Sequence, residues 1–400
     1  MSNYRSWSKA IANPAKEFPL TPLPTLAGHI PPELQGSLYR NGPGRLERGN
    51  KRVGHWFDGD GGILAVHFGE EKATATYRYV KTESYQKEAA ANKFLYPNYG
   101  MTAPGGFWNN WTKKVKNAAN TSVLALPDKL LALWEGGLPH ALDLQTLETK
   151  GKDNLSGLLY DSSFSAHPKI DSTTGEIFNF GISVGREVTL NIYRSNSAGQ
   201  VKSQNLYFLD RFSLVHDFVL AGKYLVFFLP PIDLNFLPVI FGFKSFSDAM
   251  EWKPDRGTQI LVFERDTLDL VSKIETDAWY QWHFTNGYVD RDESIIIEFV
   301  RYQDFQTNQY LKEVATGKTS TPAKGTLWEI KIDPQLGKVI HTKELLDRGC
   351  EFPVIPQHQV GKPWRHTYLS VYREGIDIAQ ELLNAIACFD RHTGNLAVAN

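Results

Sequence analysis

The sequence is poor in the features that announce the commonest functions. It has only two cysteines, Cys350 and Cys388, in 400 residues, too few for a disulfide scaffold and suited to a reducing compartment, so a cytoplasmic location is expected. The formal net charge is −1, which leaves no electrostatic footprint for nucleic acid. No Walker loop, HExxH or CxxC pattern occurs. The N-terminal ten residues hold no apolar signal core. Long apolar runs are also missing. The strongest, Tyr224 to Phe243, is interrupted by Pro230, Pro231 and Pro238 and carries Asp233 and Asn235, so it cannot run as one membrane-spanning helix. Sustained helical periodicity is scarce, with Lys113–Asn120 and Glu381–Ala387 the short exceptions.

What is present is β-type alternation. Runs such as Ala73–Val80, Lys129–Trp134, Ile177–Val184, Tyr224–Leu229, Gln259–Phe263, Ser294–Val300, Thr326–Ile332 and His366–Tyr372 recur at short spacing between turn residues. Gln35–Gly44 reads as a strand entering a Gly/Pro turn, and Gly54–Gly62 as a structural turn. Many short strands over this length favour an all-β propeller forming one domain over residues 1–400. The composition supplies enough apolar and aromatic side chains for a sizeable core.

Within this pattern three histidines stand in similar settings, in Ser165-Ala166-His167-Pro168, Val215-His216-Asp217-Phe218 and Trp282-His283-Phe284. Their gaps of 49 and 67 residues exclude a zinc finger or two ligands on one helical turn. They suit a fold that delivers one residue per sheet to a shared axis, and so a metal site. The other reading is three buried imidazoles, each satisfied by a backbone carbonyl. Glu135 and Glu351 are each flanked by apolar residues, where a carboxylate must be paired or hydrogen-bonded. Either they orient metal-bound imidazoles or they cap turns. Gly181-Ile182-Ser183-Val184-Gly185 matches the serine-hydrolase elbow pattern, but β-type alternation follows it where that site requires a helix.

The segments HWFDGDGG at 55–62, KNAANTSV at 116–123, LALWEGGLPHALD at 131–143, SAHPKID at 165–171, VHDF at 215–218, WHFTNGY at 282–288 and CEFPVI at 350–355 resemble the carotenoid cleavage oxygenases. Around Trp134 and Gln359–Gly361 the likeness is to the bacterial apocarotenoid-cleaving members. The resemblance implies a seven-bladed β-propeller with a cap of loops and short helices. It also implies Fe(II) on His167, His216 and His283, with Glu135 and Glu351 behind them and a tunnel lined by Trp134, Trp282 and Tyr302. The implied reaction is O2-dependent cleavage of a conjugated double bond in an apolar polyene, giving retinal-like aldehydes. The family's third glutamate and fourth histidine lie beyond Asn400, so the last blade is expected to be incomplete and iron binding weak. A non-catalytic apocarotenoid-binding propeller, or an inactive fragment, is the alternative.

Six large apolar residues within eight positions, Phe236, Leu237, Val239, Ile240, Phe241 and Phe243, form either a membrane-docking entrance rim or a core-packed loop. Trp108 and Trp111, with Lys113, Lys114 and Lys116 behind them, suit the same interface or a packed cap with a solvated basic edge. A monomer in peripheral contact with membrane is expected.

Overall fold

A computed structural model of the chain describes residues 5–105, 108–109 and 113–399, and Trp111 therefore lies outside the described residues. The fold is all-β with few helices. Among the described residues, six four-stranded antiparallel sheets follow one another along the chain, the blade pattern of a propeller-like architecture. The chain divides into two compact units.

The first unit carries two of these sheets. One has the order Phe18–Leu23, Lys72–Tyr79, Asp60–Gly69, Gly36–Arg45; the other is built from Ser122–Ala125, Leu130–Leu133, His140–Leu142 and Thr149–Lys152. Ile63, Ala65, Leu130, Ala132 and Leu142 form the core between them. Gly42-Pro43-Gly44 is not the expected turn. It continues the strand Gly36–Arg45, an edge strand of its sheet with an unpaired side, the setting in which a strand tolerates proline. Lys113–Asn120 is not helical either.

Two of the sequence motifs lock together here. Gly61 N–H donates to Ala118 at 2.9 Å, and a Cβ on Gly61 would lie 2.0 Å from the Ala119 carbonyl, so the close approach requires glycine. Asn120 donates to the carbonyls of Phe57 (2.8 Å) and Gly59 (2.7 Å). Lys116 is buried, 2.6 Å from Asp60 and 2.7 Å from Glu88, while Arg48 holds the other oxygen of Asp60 at 2.7 Å. Lys116 thus belongs to a neutral buried ion network and not to a solvated basic edge. Taking away one member of such a network costs about 3–5 kcal/mol, because its partners stay buried and unpaired.

The second unit holds four meanders in sequence order. The third sheet is Lys169–Ile170, Ile177–Val184, Val188–Ser195 and Val201–Leu209. The fourth is Val219–Ala221, Tyr224–Leu229, Thr258–Glu264 and Leu270–Thr276. The fifth is Phe284–Val289, Ile295–Arg301, Thr326–Asp333 and Lys338–Leu346. The sixth is Cys350–Val354, His366–Val371, Ala385–Asp390 and Leu396–Ala399, so the expected helix at Glu381–Ala387 is replaced in part by a strand. Aromatic and branched side chains pack between successive sheets, with Phe180, Phe218 and Phe227 between the third and fourth, and Phe228, Trp279 and Phe299 between the fourth and fifth. Gly181–Gly185 is a strand end running into a hairpin, with Asn191 donating to Ser183 Oγ at 3.0 Å, so it forms no nucleophile elbow.

Candidate metal centre

Three of the four sheets of the second unit begin within three residues of a histidine. His167 precedes the strand Lys169–Ile170, His216 precedes Val219–Ala221 and His283 directly precedes Phe284–Val289. The first strands of the fourth and fifth sheets pack side by side, as do those of the fifth and sixth. Equivalent positions in successive meanders therefore deliver the three imidazoles to one place. Their ligand atoms all lie within 4.8 Å of one another.

The ring nitrogens face inward. His167 Nε2 is 2.9 Å from His216 Nε2, which is 3.3 Å from His283 Nε2. His283 Nδ1 is 2.6 Å from Glu351 Oε2, so Nδ1 carries the proton and Nε2 presents a lone pair. A single N–H on His216 cannot lie along both lines to its neighbours. Three convergent lone pairs repel unless a cation sits among them. With imidazole–metal bonds of about 2.0–2.1 Å, the two spacings subtend angles of roughly 90–105° at a common centre, as neighbouring ligands of one ion do. The residues present therefore fit a metal.

The electrostatics differ between the rings. Burial, and then the two neighbouring imidazoles, push the pKa of His167 well below its ordinary value, which keeps it neutral. Burial also disfavours charge on His283, but the Glu351 carboxylate outweighs it and the net shift is upward. Glu351 reaches its partner through a local irregularity. The strand Cys350–Val354 shifts register against its neighbour between Glu351 and Val354, and Phe352 adopts φ +54°. The Phe352 ring lies 5.2 Å from that of His283. On another side the Trp282 ring meets His216 edge-on at 5.0 Å, its Nε1 donating to Thr307 Oγ1 at 2.9 Å. Tyr302 is buried and exchanges both backbone hydrogen bonds with Tyr280, whose ring packs on Trp282. A cavity of about 320 Å³ opens on His167 and His283 between Phe352, Phe218 and Val360.

One residue that sequence reasoning passed over completes the site. Asp217 accepts the N–H of Phe284 at 3.0 Å and holds Lys169 at 2.7 Å, joining the residues beside all three histidines. A carboxylate directly after a histidine in a β-type segment was the available signal. Trp134 and Glu135 follow the strand Leu130–Leu133 and belong to the first unit, as does the apolar segment 236–243. That segment contains a short helix, Phe236–Ile240, where a loop was expected; Pro238 is tolerated because it sits in the first turn. Leu237 is 65% and Phe243 81% exposed, and Trp108 is exposed as well. No helix among the described residues is long and apolar enough to cross a membrane.

Residues 11–400 match the family model described as retinal pigment epithelial membrane protein. The apocarotenoid-15,15'-oxygenase of Synechocystis sp. is 33% identical over 92% of this chain and 76% of its own length. Resveratrol cleavage oxygenase 1 of Aspergillus fumigatus is 30% identical over 93% of the chain and 76% of that protein. The crystal structure of cobalt-substituted Synechocystis apocarotenoid oxygenase superposes with a TM-score of 0.88 at 30% identity, covering all of this chain and 85% of that one.

Proposed function

The chain belongs to the RPE65/carotenoid oxygenase family, and from that membership we propose that His167, His216 and His283 hold Fe(II) in an enzyme that cleaves a conjugated double bond of an apocarotenoid with O2, giving aldehydes. The observation that carries the reading is the convergence of three Nε2 atoms from the starts of three successive sheets, one of them fixed in its tautomer by Glu351. Fe(II) held by these three imidazoles would supply the activation of O2.

The chain's own residues have other tasks. Glu351 holds the Nδ1 proton of His283 and so keeps its Nε2 lone pair available. Trp282 and Phe352 place aromatic surface beside His216 and His283, suited to a flat conjugated chain. In this reading Tyr302 lines the substrate tunnel beside Trp282. The exposed side chains of Phe236, Leu237, Ile240, Phe241 and Phe243 are the entrance rim, which touches membrane to receive an apolar substrate.

Relatives named for stilbene and for polyene cleavage both match the chain, so the test is a side-by-side assay. Iron-loaded protein is incubated with an apocarotenal and with resveratrol, and the products are separated chromatographically. Retinal-like aldehyde from the first supports the reading. Turnover of resveratrol alone overturns the polyene assignment.

A further inference from the structure

In the first unit, well apart in sequence from the histidines, a cleft of about 430 Å³ lies where the N-terminus of the helix Glu83–Ala91 faces the end of the second sheet. Lys87, Lys113, Lys114 and Lys152 line it, against one carboxylate, Glu83. Lys113 donates to the Leu95 carbonyl at 2.8 Å, but none of the four lies within ion-pair distance of a carboxylate among the described residues. Lys116, Lys129 and Lys169, by contrast, each lie against a carboxylate. Four ammonium groups around one concavity repel one another, and an anion would relieve that.

A solvated lysine face would show the same count of charges. What sets this cleft apart is His140, which lines it while only 2% exposed, with Nδ1 buried and without a hydrogen-bond partner among the described residues. Such an imidazole bears an uncompensated desolvation cost. Burial and the neighbouring Lys152 hold it neutral. A neutral ring keeps one N–H to donate and brings no charge of its own. The helix adds the partial positive charge of its first turn; Thr82 Oγ1 is already taken by Tyr85 N–H, while Glu83 and Ser84 line the cleft.

We propose that this cleft is an oxyanion site that takes a phosphate group, the lysines supplying charge, and His140 and the helix N-terminus supplying donors. The same chemistry is offered by free phosphate and by the headgroup of an anionic lipid. The test uses the full, iron-loaded chain and two probes. Inorganic phosphate is titrated calorimetrically, and vesicles of phosphatidylcholine with or without phosphatidic acid are sedimented with the protein. Both are repeated with the double variant Lys114→Gln/Lys152→Gln, whose exposed substitutions leave the fold intact by circular dichroism. Saturable binding of either probe, weakened roughly tenfold or more in the variant, supports the site. Response to phosphate alone identifies the free anion, and response only to phosphatidic acid vesicles identifies the lipid headgroup. Binding that the variant leaves unchanged, or saturation by neither probe, overturns it.

Discussion

Asp217 Oδ2 accepts the backbone N–H of Phe284 at 3.0 Å, so the residue after one candidate ligand is tied to the residue after another. The opposite oxygen takes the Phe218 N–H at 2.8 Å and Lys169 at 2.7 Å. Three successive sheets are thereby fastened at the level of the histidines. Asp217→Ala strands a buried N–H and an ammonium group, and is expected to lower the unfolding free energy by roughly 3 kcal/mol. Asp217→Asn keeps an oxygen for Phe284 and is expected to cost less. Urea denaturation of both variants measures this, and equal stability of Asp217→Ala and the parent would refute the clamp.

Glu351 acts on the metal through His283. Glu351→Ala is expected to weaken iron binding by about 10–100-fold, the usual consequence of removing the partner of a metal-bound imidazole. Glu351→Gln, which retains an acceptor oxygen without the charge, is expected to fall between. Competition with a chelator gives both numbers. Unaltered affinity in Glu351→Ala would mean that the 2.6 Å contact is incidental.

Much of this was legible in the residues. Tyr224–Leu229 and Ile177–Val184 read as strands because branched and aromatic residues fill them, and both occupy those same bounds in the fold. The similar settings of His167, His216 and His283 reflect their equivalent places at the starts of successive meanders. Other features depend on tertiary context. Pro43 looked like a turn because nothing local says that its strand is an edge. Lys116 looked solvated because its partners Asp60 and Glu88 lie far away in sequence. The helices Glu83–Ala91 and Gln306–Val314 went unread, the former being too weakly amphipathic to show a periodic face. Asp217 was hidden by its motif, which drew attention to the histidine before it.

His140 gives a pH signature. Its pKa falls from 6.5 to about 4 in the native state, first through burial and then through Lys152. As pH drops from 6.5 toward 4, the unfolded chain takes up a proton that the native chain refuses, so stability falls across that window. The loss is complete below about 4 and amounts to at most about 3 kcal/mol. Comparing denaturation of the parent with His140→Gln in phosphate-free buffer isolates it. The stability of the parent relative to the variant should rise as pH rises through the window and level off above 6.5, and a constant difference would contradict the assignment.

The apolar rim makes a separate prediction. Leu237→Glu and Phe243→Glu alter two of the most exposed side chains of the segment and should leave folding unaffected. Both are expected to reduce association with phosphatidylcholine liposomes several-fold while cleavage of detergent-solubilised substrate continues. Unchanged liposome association with the fold intact would remove the rim from the account.

The most direct test follows the aldehyde product and oxygen together. The chain is loaded with Fe(II) without air, mixed with an apocarotenal, and then exposed to O2, alongside His216→Ala and a chelator-treated sample. The expected result is retinal-like aldehyde only after O2 is admitted, and only from the iron-loaded parent. Tight apocarotenal binding with no product at full iron occupancy would contradict an oxygenase and leave a binding protein.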